Sequence, residues 1–235
     1  MLPGCAEPLN LADPLAALYP DDRVMEIRID LPAADWELLR NEVPPASESS
    51  NWGPGCLPVN NPGWGYTWFR ATVSIDGTVL EEAGVRKKGW CGSQSTDKPA
   101  LKIKLDEFVA GQELHGADEL ALNNSVQDPS YVRQCMGYRL FDQAGLPSSH
   151  CAFTQVFVNG EDQGVYVSVE PVEGPYLRRA FGEDEGNLYE GNLADFRDRW
   201  VDVFEKKRNE EDPDRSEVDG VVSAAAAETI DRDAL

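Results

Sequence analysis

The chain has 235 residues, with 42 Asp and Glu against 21 Lys and Arg and a formal net charge of −21. A surface of that sign repels phosphate backbones and argues against nucleic-acid binding. At 41% hydrophobic the chain can build one substantial core, and it has no eighteen-residue apolar run to cross a membrane as a helix.

Residues 1–20 read as a leader or linker. Within them "LPGC" (2–5) has the form of the end of a bacterial lipoprotein signal, which makes Cys5 a candidate lipidation and membrane-attachment site. The charged start and apolar run that precede such a cysteine are missing, so an ordinary thiol is the other reading. "RVMEIRIDL" (23–31) alternates Met25, Ile27, Ile29 and Leu31 against polar residues, which predicts a half-buried strand. "PAADWELLRNEV" has Pro at a helix start and predicts a short amphipathic helix. Residues 44–65 then form a long loop rich in Pro, Gly, Asn and Ser, carrying Trp52, Cys56 and Trp64.

"WFRATVSIDG" (68–77) alternates and closes on Asp-Gly, a hairpin signal. "VRKKGWCGSQSTDKPALKIKL" (85–105) continues as strand, Gly-rich turn and strand, with Leu101, Ile103 and Leu105 facing one way and Lys102 and Lys104 the other. After the pair Asn123-Asn124, Asp128 is the expected cap of a helix with Pro129 in its first turn, ended by a left-handed Gly145. Its many apolar residues predict a helix covered over much of its circumference. "AFTQVFVNGEDQGVYVSVEPV" (152–172) reads as a second hairpin turning at Asn159-Gly160. A short helix is expected over 175–182, turn chemistry over 182–192, and a charged, helix-prone segment from 201 to 235. The order strands, one major helix, strands, helices is an α+β pattern.

A Gly-rich turn between strands exposes N–H groups that can cradle phosphate, and a lysine on the following strand can neutralise it. Common hairpins share these features, and paired lysines on a strand usually mark a solvated face. "GEDEG" (182–186) lacks the spacing of a calcium loop and reads as a solvated turn. With His115 and His150 as the only histidines and no Cys-x-x-Cys pair, a zinc site has little support.

The segments "AGVRKKG", "KPALKIKLDEF", "LALNNSVQDPSYVRQCMGYRLFDQAGLP", "VFVNGEDQGVYVSVEPV" and "GNLYEGNLADF" occur in that order. Together they resemble the spore coat protein H (CotH) kinase family, whose members are similar in fold to protein kinases. The resemblance implies a kinase-like small lobe, mostly antiparallel sheet with one major packed helix, followed by a hinge and the start of the large lobe. It assigns 21–200 to that region and 201–235 to a helical lead into a C-terminal half. Implied cofactors are ATP and magnesium, and the implied partner is an exported or surface protein phosphorylated on Ser or Thr.

Candidate ATP-binding residues are then Arg86, Lys88 and Gly89 at the turn, Lys102 or Lys104 on the strand, with Lys104 slightly favoured, and Glu170 at the hinge. The helix offers Gln134 and no central inward Glu, so an ordinary kinase Lys–Glu pair is not expected. Asp195-Phe196 is followed by Arg197 and is not the metal-binding Asp-Phe-Gly. The family's catalytic and magnesium-binding acids lie in an Asn-rich strand and a Trp-Asp-x-Asp segment that do not occur in these 235 residues. No catalytic or metal residue is therefore assigned, and the chain alone is expected to be inactive. Cys135 with Cys151 and Cys56 with Cys91 are candidate disulfides in an exported protein, with core packing the alternative for the first two. The rival function is a non-catalytic surface adhesion module, with Trp52, Trp64, Trp68 and Trp90 as a binding platform.

Overall fold

Alternating hydrophobicity places one face of every early strand in a common interior, and the strands curl until that interior is closed. The computed structural model describes residues 13–43, 65–89, 93–191 and 194–226. Seven strands form a barrel: β1 (Met25–Asp30), β2 (Phe69–Ile75), β3 (Thr78–Lys88), β4 (Ala100–Lys104), β5 (Glu119–Asn123), β6 (Cys151–Val158) and β7 (Glu161–Val169). Around the barrel the order is β1-β2-β3-β4-β5-β7-β6, and β6 returns to β1. Every pairing is antiparallel except that seam, where β1 and β6 run parallel with Ile27 opposite Val156.

This corrects the expectation of a kinase-like lobe of mostly antiparallel sheet backed by one major helix. The fold is a closed, mixed seven-stranded barrel with four short helices. Closure satisfies the edge hydrogen bonds that an open sheet leaves exposed. Both hairpin turns help to hold β1 in the seam. Asp76 accepts the Glu26 N–H at 2.9 Å, and Asn159 Oδ1 accepts the Leu31 N–H at 2.9 Å. Asp76-Gly77 and Asn159-Gly160 each have two positive φ values, the geometry that suits tight hairpins.

The core is the barrel interior. Met25, Ile27 and Ile29 from β1, Val73 and Ile75 from β2, and Leu101 and Ile103 from β4 are essentially inaccessible. Burial of each such side chain contributes about 1.5–3 kcal/mol. Helix α1 (Ala33–Asn41) adds Trp36 and Leu39, and a 3-10 turn at Pro14–Leu18 adds Leu15 and Leu18. The side chain of Lys87 also points inward, where its Nζ donates to the carbonyls of Arg40 and Glu42, both at 2.9 Å. It thereby serves the last carbonyls of α1, which carry the negative end of the helix dipole.

Helix α2 (Arg133–Gln143) lies outside the barrel and departs from expectation in two ways. It begins at Arg133, because Asp128 and Tyr131 first close a turn. The Asp128 carboxylate then reaches the Arg133 N–H at 3.0 Å. It is also mostly uncovered, since Cys135 is its one buried residue while Met136 and Leu140 are 63% and 68% exposed. Cys135 packs on Val167 and Val169 of β7 and is joined to Cys151 of β6 by a disulfide. The helix stops as expected: Gly145 is left-handed, with its N–H on Asp142 and that of Leu146 on Phe141.

Beyond β7, helix α3 (Gly174–Phe181) leads to a small second unit. The segment read as turn contains β8 (Leu188–Gly191), and the segment read as helical contains β9 (Phe204–Arg208), which pairs with it. The extended backbone lets Phe204 reach Val218 and Val222 of α4 (Ser216–Ala226), where the helix does form. Among the described residues no helix is long and apolar enough to cross a membrane.

Candidate functional site

The parity of β3 and β4 sorts their basic residues. Val85 and Lys87 point into the barrel, so Arg86 and Lys88 point out, and Lys102 and Lys104 point out beside them. Register places Arg86 opposite Lys102 and Gly84 opposite Lys104. Directly opposed side chains begin only about 5 Å apart. In a chain of net charge −21, the outer face of β3 and β4 thus gathers Arg86, Lys88 and Lys102 within one patch.

Each of the three is held differently. Lys102 Nζ lies 2.6 Å from Glu119 Oε2 on β5. The Arg86 guanidinium sits 4.6 Å from the centre of the Trp68 ring, and its Nε is buried without a hydrogen-bond partner. Burial draws the Arg86 pKa down, an effect opposed by Glu119, Glu107 and Glu42. Lys88 Nζ donates to Asn123 Oδ1 at 2.8 Å, and Asn123 Nδ2 donates to Gln134 Oε1 at 2.9 Å. Burial, with Lys102 and Arg86 adding to it, pushes the Lys88 ammonium down to about 8. Among the described residues its hydrogen-bond partner is thus a neutral amide, and its charged neighbours are of its own sign.

Lys104 lies one pair further along and turns towards acids, 3.5 Å from Glu107 and 4.0 Å from Asp106. The structure therefore groups Arg86, Lys88 and Lys102, and leaves Lys104 to its carboxylates. Gly89 has φ +118, and its carbonyl accepts the Tyr66 hydroxyl at 3.0 Å. A Cβ there would stand 2.9 Å from Ser93 Oγ, so the entry to the turn requires glycine. Asn124 fastens the other side, donating to the Ser93 and Lys98 carbonyls at 2.9 and 2.8 Å. The tip of the turn, residues 90–92, lies outside the described residues, as do Cys5, Cys56 and Cys91, with their lipidation and disulfide assignments, and Trp52, Trp64 and Trp90.

Glu170, at the end of β7, is committed elsewhere. Its N–H donates to the His150 carbonyl, while its carboxylate accepts the His150 N–H at 2.9 Å and pairs with Arg179. Arg179 also approaches Asp13, whose Oδ2 lies 2.7 Å from His150 Nε2. Beside this cluster, Leu15, Tyr19, Ala117, Pro171 and Glu173 line a small cleft that also touches Glu119, the partner of Lys102. The Tyr19 hydroxyl is buried there without a partner, and burial raises its pKa. Burial also raises the pKa of Glu173, and Glu119 adds to the rise.

Two residues noted in the sequence for other reasons turn out to contact the basic patch. Trp68 stacks on Arg86, and Asn123 bridges Lys88 to α2. The usable signal was parity, because Asn123 shares the outer face of β5 with Glu119. Asp195 and Phe196 serve local packing, through an ion pair with Arg197 and stacking on Phe204. In "GEDEG", Glu183 accepts the N–H groups of Glu185 and Gly186, and Asp184 pairs with Arg178 and Arg208.

Arg86, Lys88, Lys102, Asn123 and Gln134 all lie within residues 85–224, which match a family model described as CotH kinase protein. The chain belongs to the CotH kinase protein family. It is similar to two proteins of Bacillus subtilis (strain 168). It is 31% identical to the inner spore coat protein H-like protein over 86 residues, covering 37% of this chain and 26% of that protein. It is 33% identical to the inner spore coat protein H over 72 residues, covering 31% of this chain and 20% of that protein. The chain thus spans about a quarter or less of the length of these CotH relatives.

Proposed function

We propose that this CotH chain carries the nucleotide-binding portion of a protein kinase that phosphorylates Ser or Thr of exported or surface proteins. The observation that carries the reading is the convergence of Arg86, Lys88 and Lys102 on one face, with Lys88 held by a neutral amide. The buried, unpartnered Nε of Arg86 adds a donor for an incoming oxygen. ATP, when bound, supplies the phosphoryl group. Lys88 and Arg86 orient its phosphates by charge-assisted hydrogen bonds, and Lys102 neutralises them once Glu119 is shared.

Magnesium finds less support. Among the described residues no group of three or more His, Cys, Asp or Glu is placed to hold a metal. An exported or surface location is part of the proposal, supported by similarity to spore coat proteins and by the Cys135–Cys151 disulfide.

Amine modification tests the reading. ATP in excess should protect Lys88 and Lys102 from an acylating reagent more than it protects Lys104, read by peptide mass spectrometry. Equal modification of all three with and without ATP would sink it, and would favour a binding module that uses another surface.

A further inference from the structure

The hydrogen bonds around Lys88 have only one possible direction. An ammonium can only donate, so the oxygen of Asn123 must face Lys88 and its nitrogen must face away. That nitrogen meets Gln134 Oε1 at 2.9 Å, which turns the Gln134 nitrogen towards the Tyr138 hydroxyl at 3.5 Å. The chain Lys88–Asn123–Gln134–Tyr138 therefore runs from β3 across β5 to α2 with each amide in a defined orientation. Among the described residues, the charges that act on Lys88 are Lys102 and Arg86, both of its own sign.

A carboxylate at position 123 or 134 would fix the lysine equally well, but would cancel its charge. Two amides fix it and leave the charge intact. Gln134 is also next to Cys135, which is buried on Val167 and Val169 and bonded to Cys151. The seat of α2 and the aim of Lys88 are thus one mechanical unit.

We propose that Asn123 and Gln134 are positioning residues that hold Lys88 towards a nucleotide phosphate without neutralising it, and that they couple its aim to the seating of α2. The proposal rests on the nucleotide reading above. Its own prediction concerns Lys88 in the free protein, so the two can fail separately.

The test uses the 235-residue chain and its Asn123→Ala, Gln134→Leu and Gln134→Glu variants. Two quantities are measured at fixed ionic strength: the pH dependence of Lys88 acylation without ligand, and the affinity for inorganic tripolyphosphate. Gln134→Glu should raise the midpoint of Lys88 acylation by about one pH unit, as a nearby opposite charge does. At pH 7, where Lys88 is charged in parent and variant alike, it should weaken tripolyphosphate about tenfold because the added carboxylate offsets the lysine's charge, while the melting temperature stays within about 2 °C. Asn123→Ala and Gln134→Leu should weaken tripolyphosphate by several fold without that upward move. Midpoints and affinities within twofold of the parent in all three variants would overturn the proposal. If the midpoint moves as expected but no protein binds tripolyphosphate or ATP, the positioning of Lys88 stands and the nucleotide reading falls.

Discussion

Lys88 Nζ and Asn123 Oδ1, 2.8 Å apart, join the third strand of the barrel to the fifth across the outer face of β4. The contact answers why an acidic chain places Asn-Asn just ahead of a helix. Asn123 faces outward to a lysine and to the helix, while Asn124 is buried and fastens the turn that begins at Gly89.

The first prediction concerns pH. The Lys88 ammonium is held down to about 8 in the folded chain, against its ordinary 10.5. Between those values the unfolded chain binds more protons, so stability contributed by this group rises with pH across that window. Its destabilising effect is fully present below about pH 8. Denaturant titrations should show the parent gaining stability relative to Lys88→Met from pH 8 to 10.5. Parallel curves would contradict the burial of the charge. Tripolyphosphate affinity should move the other way, falling as pH rises through about 8.

A second prediction concerns the disulfide between α2 and β6. Cys135 and Cys151 are 16 residues apart in sequence. A loop of that size contributes about 3 kcal/mol by the chain-entropy model. Cys135→Ser with Cys151→Ser should lower the melting temperature by roughly 6–12 °C for a chain of this size. Calorimetry showing less than 2 °C would mean that the helix keeps its seat without the bond.

Glu170 separates structure from ligand binding. Its carboxylate is 2% exposed and paired with Arg179, which is itself only 22% exposed. Glu170→Ala removes one partner of a buried pair and should cost about 3–5 kcal/mol. Acylation of Lys88 at a temperature where the variant is folded should be unchanged. A variant as stable as the parent would show that Arg179 can satisfy itself on Asp13 and the Ser148 carbonyl.

Lys87, the middle basic residue of the run, is expected to behave unlike its neighbours. Lys87→Met leaves the Arg40 and Glu42 carbonyls without their donor and should lose roughly 2–3 kcal/mol. Arg86→Met and Lys88→Met should each lose tripolyphosphate affinity about tenfold without a comparable loss of stability. Equal stability losses in all three would contradict the split of the run between the two faces.

What could be read in advance follows from what each signal depends on. Period-two alternation is local, so Met25, Ile27 and Ile29 were placed on the buried face, as were Leu101, Ile103 and Leu105. The hairpins at Asp76-Gly77 and Asn159-Gly160 depend on two residues each and were equally legible. Closure was not, because a strand alternates in the same way in an open sheet and in a barrel. Only the pairing of β1 with β6, more than a hundred residues away, distinguishes them. The surroundings of α2 were misread for a related reason. Counting apolar residues does not say which of them have a surface to meet, and β7 offers Val167 and Val169 to Cys135 while Met136 and Leu140 face outward. The basic patch is legible as residues but not as a grouping: the Ile103-Lys104-Leu105 triplet slightly favours Lys104 over Lys102, while the acids beside Lys104 have no place in a strand pattern.

The parallel seam also imposes a schedule on synthesis. Ile29 pairs with Val158, about 130 residues later. At ribosomal rates of about 5–20 residues per second, β1 waits roughly 6 to 26 s for its neighbour. Until then the nascent sheet of β1 to β5 has two unpaired edges, each a template for aggregation. Exposed acidic side chains, which give the finished protein its large negative charge, are already present on those nascent strands and keep neighbouring copies apart. The acidity of the chain thus protects its birth as well as its mature surface.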